Sequence, residues 1–442
     1  MTYTFRPGIV RGVSYGLFGP PDSFVPEMRS LGARLARVYV YWNQVEPRPG
    51  EYDWRAVDAI LAQRDPSMEL WVTVCSSSTW ATAVPTPFLP SSPARRAIDY
   101  ERFLSALVGR CRGRVEHWQC NNEPSNTGML WAGTAADYVE QLAVFHRVVR
   151  AIDPRATVVL GGCGYDVLSS PPGAPARQFF DHVAEYGRDL FDLFDVHLYG
   201  DPAAIGGYVT AVQDLMRRHG YDRPVVAGEY NGPTFFEFPA AMAAVAGLAM
   251  ADPEAAMRAL YARAGDLPRE VRMFMDDAPP DVAAERDRIN CRQMVIRNVL
   301  AFAAGVTRTL CWNLAPEIPG YRDRYNVMGF LFGKLALLDY DGGAMTVRHP
   351  AADTFALVAS YLDGATAIRP AIVPGACAFD VTRASGDVVR IAWTAGDAIT
   401  AAFRWPAVAT RAVDAFGDDV PVTVEAGRVR VPISETPVFL SA

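Results

Sequence analysis

Short apolar runs rich in β-branched and aromatic residues recur along the chain, each followed by a stretch in which apolar residues return every three or four positions. Eight such runs stand out: "GIVRGVSYG" (8–16), "LARVYVYW" (35–42), "MELWVTVCS" (68–76), "VEHWQCNNE" (115–123), "TVVLGG" (157–162), "LFDVHLYG" (193–200), "PVVAGEYN" (224–231) and "TRTLCWNL" (307–314). A run of this length with period-2 or fully apolar character predicts a strand, and the 3.6-residue period that follows predicts a helix. Repeated strand–helix units make a parallel sheet, and eight of them close into a barrel, so the fold class is α/β, a (β/α)8 TIM barrel.

The helices carry their own start signals. Asp53 precedes "WRAVDAILAQ", and Thr134 with Asp137 forms a capping-box pattern before "YVEQLAVFHRVVRAI". In the latter, Val139, Leu142, Val144, Phe145, Val148 and Val149 make one apolar stripe, which predicts packing against the sheet. "GGCGYDV" (161–167) does not match the GxGxxG phosphate loop of a doubly wound sheet and reads as a tight turn. A long Ala- and Met-rich segment, about 232–279, separates the seventh and eighth strands and is helical in pattern; it forms either a wall over the barrel mouth or an outer decoration. From 366 the pattern changes to short alternating runs between Gly-containing turns, which predicts a small antiparallel, sandwich-like β domain over 366–442 after a barrel over 1–365. The N-terminal "TYTF" could add to that sheet.

Composition narrows the function classes. The formal net charge is −7 and no basic run is present, which argues against a nucleic-acid partner. No stretch reaches the roughly 20 apolar residues that span a bilayer, and the first residues do not read as a signal peptide, so neither a membrane partner nor export is expected and a cytoplasmic location is. Seven cysteines sit in apolar strand-like segments and read as reduced core residues. The six histidines show no zinc spacing, so neither a metal nor another cofactor is expected.

In barrels of this class chemistry sits at the C-terminal ends of the strands. Arg37 lies within strand two, Asn122 and Glu123 end strand four, His197 and Tyr199 end strand six, Glu229 ends strand seven, and Trp312 and Asn313 end strand eight. Two carboxylates with an arginine, an amide and a tyrosine nearby are what glycosidic hydrolysis requires: one protonates the leaving oxygen, the other meets the cation developing at the anomeric carbon. Each residue also has a plainer reading: Glu123 before Pro124 as a turn cap, Glu229 as an ion-pair partner of a buried Arg37, Tyr199 and His197 as satisfied core residues. Trp42, Trp80 and Trp131 read as core or rim.

The stretches "LARVYVYWNQVEPRPGEYDW" (35–54), "NEPSNTGMLWAGTAADYVEQL", "DVHLYG", "AGEYNG" and "CWN" resemble clan A of the glycoside hydrolases, and most nearly family 39, over residues 8–363. The resemblance implies a carbohydrate substrate and a retaining mechanism. Glu123 would be the general acid/base, Glu229 the nucleophile, and Asn122 a ligand of the sugar 2-hydroxyl. Arg37 and Tyr199 would hydrogen-bond the nucleophile, and Trp312, in a cis peptide with Asn313, would floor the sugar site, with His197 and Asn313 beside it. In the clan the residue before the asparagine is often Trp; here it is Asn121. A transglycosidase and a glycan-binding barrel without chemistry remain open alternatives at this level.

Overall fold

The computed structural model describes residues 4–246, 252–316, 323–341, 344–405, 410–425 and 428–442. Strands β1 (Arg6–Val10), β2 (Leu35–Tyr41), β3 (Glu69–Cys75), β4 (His117–Cys120), β5 (Thr157–Val159), β6 (Phe194–Leu198), β7 (Val225–Tyr230) and β8 (Arg308–Cys311) form one sheet in the order β5-β4-β3-β2-β1-β8-β7-β6. All neighbours pair in parallel. Parallel bridges from Val159 to Leu193 and from Cys163 to Val196 bring the two ends together, so the sheet is a nearly closed barrel with helices between its strands. Each strand overlaps one of the eight runs; the first ends early, at Val10, because Gly12 turns the chain out with φ 127°.

Period-2 alternation divides the strands into two faces. Outward residues such as Ala36, Val38, Val40, Val72, Val74, Trp118, Val196 and Leu198 join the large cluster under the helices. Inward residues, among them Leu35, Tyr39, Tyr41, Trp71, Cys75, Val226, Leu310 and Trp312, form a separate cluster inside the barrel. At the N-terminal end of the barrel Glu69 pairs with His117 Nε2 at 2.8 Å, Arg308 Nε at 2.8 Å and Arg6 Nε at 3.2 Å, tying together the starts of β3, β4, β8 and β1.

The helix Ala135–Ile152 has the capping box read from its sequence: Thr134 Oγ1 accepts from the Asp137 amide, and Asp137 accepts from the Thr134 amide. Its buried face includes Leu142, Val144, Phe145, Val148 and Val149. The helix Arg55–Ala62 has Trp54 rather than Asp53 as its N-cap, but Asp53 Oδ1 accepts from the Arg55 amide at 3.0 Å. Trp42 and Trp131 are core residues, and Trp80 is partly buried with its indole N–H on the Glu46 carbonyl.

After β7 come a short turn, Phe235–Glu237, and the helices Pro239–Val245, Pro253–Ala262 and Arg269–Arg272, followed by the long helix Pro280–Ala303. Part of this segment, 247–251, lies outside the described residues. The rest has its own small core of Phe235, Met257, Leu260, Val271, Phe274 and Val282, which also takes in Phe330 from the helix Val327–Phe332 after β8. That helix places Phe332 beside Tyr199, ring centroids 6.3 Å apart, so the segment packs against the helix that borders the barrel mouth. A hairpin of Leu338–Asp341 and Ala344–Arg348 follows; the sequence reading did not anticipate it.

From Ala367 onward all pairing among the described residues is antiparallel, in a five-stranded and a three-stranded sheet. One face of the larger sheet, with Phe379, Val381, Ile391 and Phe439, packs on Val295, Val299, Val358 and Leu362 of two barrel helices. Its other face packs through Ala378, Ala392 and Leu440 on Phe403, Val429 and Val431 of the smaller sheet. Residues 2 and 3 of "TYTF" lie outside the described residues, while Phe5 is buried against the larger sheet.

Candidate active site

Two local departures from strand alternation build the polar centre of the barrel mouth. In β7 Val226 points inward and Ala227 outward, so Glu229 would point outward if the alternation continued. Instead the ladder with β6 shifts: Val196 pairs with Ala227 but His197 pairs with Glu229, which makes Gly228 an extra residue in a bulge. The bulge turns Glu229 inward and Tyr230 out into the helix-side core. Only glycine fits there, because a Cβ on Gly228 would lie 2.3 Å from Asp195 Oδ2. The second departure is at the end of β4, where Gln119 points inward and Asn121 adopts φ 58°. That left-handed residue sends its side chain to Ser76, whose amide reaches Asn121 Oδ1 at 2.8 Å, and turns Asn122 toward the barrel axis. Asn121 is therefore a buried anchor of the β3 and β4 ends and does not face the site. Glu123 is also left-handed, φ 40°. Asn tolerates this region better than most residues, whereas a glutamate there needs the surrounding contacts to hold it.

Glu229 receives three donors. Arg37 Nη1 at 3.0 Å and Tyr39 OH at 2.7 Å reach Oε1, and Tyr199 OH at 2.8 Å reaches Oε2. Arg37 is fully buried inside the barrel, where a guanidinium persists only if its N–H groups are met. They are met by Thr73 Oγ1 (2.9 Å), the Gly228 carbonyl (2.8 Å), Glu229 and Asn122 Oδ1 (2.7 Å), with the Tyr39 and Trp71 rings 4.9 and 5.4 Å from its carbon. Burial works against the arginine's charge, but Tyr39, Glu229 and Asp195 outweigh it and raise its pKa. Burial pushes the Tyr39 and Tyr199 hydroxyls well above the usual tyrosine range, with Glu229 adding to both, so each acts as a neutral donor.

Glu123 faces this group across His197. Its Oε1 lies 2.5 Å from His197 Nδ1, which is also 3.5 Å from Glu229 Oε2, while Nε2 lies 3.3 Å from Asp195 Oδ2. Burial alone would lower the pKa of this imidazole, but Glu229, Asp195 and Glu123 together push it up to about 10. Carboxyl groups thus stand at both of its nitrogens. Asp195 is fixed in turn by Gln119 Nε2 at 2.6 Å and the Gly228 amide at 2.5 Å.

One carboxylate oxygen from each glutamate and one ring nitrogen of His197 all lie within 4.8 Å of one another. Among the described residues these three are the ones that could hold a cation. Both oxygens of Glu229 are already committed to donors, however, and Arg37 lies 3.0 Å away, so the donor set favours a neutral or partly cationic organic centre over a metal ion.

The structure thus brings Glu123, Glu229, Arg37, Asn122, His197 and Tyr199 into one hydrogen-bonded group. Trp312 borders it within the interior cluster, and its peptide bond to Asn313 is cis, as the resemblance implies. Asn313 follows it, buried, with its carbonyl accepting from the Leu337 amide at 3.0 Å. The sequence reading missed Tyr39, Asp195, Gln119 and Asn231; the last donates to the Trp312 carbonyl and to the Leu335 carbonyl (2.9 Å). Tyr39 was findable, since it stands two residues from Arg37 on the same strand face.

The glycines of "GGCGYDV" are also corrected. None of the three has positive φ, and the segment runs extended past β6; what matters is the missing Cβ. A Cβ on Gly162 would come within 2.2 Å of His197 Nε2, and one on Gly164 within 3.0 Å of the Glu123 carboxyl carbon. Next to it Asp166 takes a hydrogen bond from Ser125 at 3.3 Å and has its pKa raised, first by burial and then by Glu123.

No protein-family profile and no curated protein sequence gives a significant match to this chain. Its fold matches several solved structures. A family 39 glycoside hydrolase from the gut symbiont Bacteroides cellulosilyticus WH2 superposes with TM-score 0.67 at 15% identity, covering 100% of this chain and 81% of that one. AbfB, a family 51 alpha-L-arabinofuranosidase from Bifidobacterium longum, gives 0.62 at 8% identity over 100% and 96%. A glucosidase from Croceicoccus marinus gives 0.60 at 14% identity over 99% and 95%. The chain therefore has the fold of glycoside hydrolases of families 39 and 51, a TIM barrel followed by antiparallel sheets, as its strand-end motifs led one to expect.

Proposed function

We propose that the protein is a retaining glycoside hydrolase, with Glu229 as nucleophile and Glu123 as general acid/base. The observation that carries this reading is the approach of the two carboxylates to within 4.8 Å at the barrel mouth. Retaining enzymes need their carboxyl groups about 5 to 5.5 Å apart, so that one can bond to the anomeric carbon, whereas inverting enzymes hold them at about 6.5 to 9.5 Å to admit a water.

The two glutamates differ in surroundings in the way the two roles require. Arg37 and Tyr39 anchor Glu229 Oε1, which leaves Oε2, hydrogen-bonded by the neutral Tyr199 and 3.5 Å from His197 Nδ1, as the oxygen that attacks. As the glycosidic bond breaks, Glu123 in its acid form, held at Oε1 by His197 Nδ1, delivers its proton to the leaving oxygen. The resulting glycosyl ester neutralises Glu229. Glu123 then takes a proton from water, the water attacks the anomeric carbon from the side the leaving group occupied, and the C–O bond to Glu229 breaks, so the sugar leaves with its original configuration. Asn122, positioned by Arg37 Nη2, is the ligand of the sugar's 2-hydroxyl, and Trp312 is the apolar floor. The wall formed by the segment after β7 together with Phe332 favours a closed pocket and release of single sugars from chain ends.

The test is incubation with a panel of aryl glycosides, following the first-formed anomer by proton NMR. Release of a sugar of unchanged configuration supports the reading. Release of the opposite anomer, or no hydrolysis across pentosides, hexosides, deoxyhexosides and uronides, opposes it.

A further inference from the structure

Arg297 lies outside the barrel, on the helix Pro280–Ala303, and is 1% exposed. Packing a helix onto strands does not call for a guanidinium, and burying one is unfavourable unless specific partners meet it. Apart from Gln293 on its own helix, its partners follow the ends of β6 and β7. Nη1 donates to the Leu198 carbonyl at 3.0 Å, and Nη2 reaches the Gly200 carbonyl at 2.6 Å, Glu237 Oε1 at 2.9 Å and Gln293 Oε1 at 2.7 Å. Leu198 and Gly200 are the residues on either side of Tyr199. Glu237 closes the first turn of the segment after β7: its Oε1 accepts from the Thr234 amide at 2.7 Å and its Oε2 from Gln293 Nε2 at 2.7 Å. The chain passes so close that a Cβ on Gly232 would lie 2.4 Å from Arg297 Nη2.

Tyr199 has one hydrogen bond among the described residues, the 2.8 Å contact with Glu229 Oε2. No other described residue bonds its hydroxyl, so the aim of that group depends on the His197 and Phe332 rings against it and on the backbone beneath it, where Gly200 is left-handed, φ 76°, a conformation that side-chain-bearing residues seldom supply. A planar fork that grips the carbonyls of Leu198 and Gly200 fixes the peptide plane leading into Tyr199 and the plane one residue beyond it, so the short stretch that carries the ring is held at both ends.

We propose that Arg297 is a positioning residue for Tyr199: by clamping the carbonyls of Leu198 and Gly200 and tying them through Glu237 to the wall segment, it sets the Tyr199 hydroxyl on the oxygen of Glu229 that attacks. This rests on the reading of Glu229 as nucleophile, which is checked separately by Glu229→Ala: full activity in that variant ends the nucleophile assignment, whereas its inactivity leaves Arg297 to be judged alone.

The test is a double-mutant cycle on the full-length chain, with Arg297→Lys, Tyr199→Phe and the pair assayed for kcat and KM on an aryl glycoside the wild type hydrolyses. Lysine keeps the charge but cannot bridge two carbonyls in one plane. Loss of the tyrosine's hydrogen bond to a charged oxygen lowers kcat about tenfold or more. Arg297→Lys lowers kcat in the same direction with KM changed by no more than about twofold, since uniform binding is untouched. The double variant is then no slower than Tyr199→Phe, because the residue through which Arg297 acts has already lost its function. Multiplying effects, or an unchanged kcat in Arg297→Lys, overturns the proposal. Should Arg297→Lys fail to fold, Glu237→Gln, which removes the carboxylate paired with Arg297, is put through the same cycle. A drop in kcat that vanishes in the Tyr199→Phe background supports the proposal, and a drop that persists there, or none at all, overturns it.

Discussion

Replacing Glu69 by glutamine tests whether the ion cluster at the closed end of the barrel holds β1, β3, β4 and β8 together. Burial opposes the charge of this carboxylate, but His117 and Arg308 outweigh it, and its pKa falls from 4.5 to about 2. A carboxylate whose pKa is depressed in the folded state adds stability that is complete above the unfolded value and lost as the pH drops through the folded one. That fall corresponds to about 3 kcal/mol at pH 7, and to about 1 kcal/mol at pH 3, where the unfolded chain is already protonated. Glu69 is about one-sixth exposed, so solvent screening leaves most of this in place. Urea denaturation of the wild type and of Glu69→Gln at the two pH values measures the difference directly. Glu69→Gln is expected to cost about 3 kcal/mol at pH 7 and roughly 2 kcal/mol less at pH 3. A cost that is the same at both pH values, or that is below about 0.5 kcal/mol at pH 7, refutes the reasoning, because surface pairs of small net worth behave that way.

Tyr39→Phe removes one of two donors to Glu229 Oε1 and is expected to lower kcat about tenfold with little change in KM, as steady-state kinetics will read. Gly162→Ala forces a Cβ to within 2.2 Å of His197 Nε2, and is expected to displace the imidazole and cost about 1 to 3 kcal/mol, seen in a denaturation curve, together with most of the activity. Because the His197 pKa is raised from 6.5 to about 10, its charge contributes stability that is fully present below pH 6.5 and disappears as the pH rises through about 10. Activity is expected to fall across that same alkaline limb, and a pH profile of His197→Asn should lack the step. Early products from an oligosaccharide should be single sugars; internal fragments of intermediate length would contradict the closed-pocket reading.

Much of the fold was legible because strand and helix periods differ, and eight alternations of the two leave few other architectures. The residues of the site were legible by their position at strand ends, but their aim was not. Strict alternation from Val226 would put Glu229 on the outer face, and only the bulge at Gly228 reverses it; "AGEY" shows a glycine before the glutamate, yet nothing in one sequence separates a bulge from an ordinary strand glycine. The same holds for Asn121, whose left-handed backbone hands the inward position to Asn122. Asp195 and Gln119 escaped notice because a polar residue inside a four- or five-residue strand looks like an interruption of the core; their role is visible only once His197 stands against Asp195. Arg297 sits in a helix of mixed polarity where arginines are ordinary, and its partners are backbone carbonyls far away in the sequence. The paired strands Leu338–Asp341 and Ala344–Arg348 had a signal in the sequence, "DGG" between alternating residues.

The central claim is that two glutamates, chemically identical, divide nucleophile from acid/base. It is tested most directly by azide rescue of the two alanine variants on an aryl glycoside with a good leaving group, reading the anomeric configuration of the glycosyl azide by NMR. In Glu123→Ala the nucleophile remains, the glycosyl-enzyme forms and accumulates, and azide attacks it, so the azide product keeps the substrate's configuration. In Glu229→Ala azide replaces the missing carboxylate and attacks the substrate itself, so any azide product is inverted. An inverted azide from Glu123→Ala with a retained one from Glu229→Ala would exchange the two assignments, and undiminished activity in both variants would contradict the account outright.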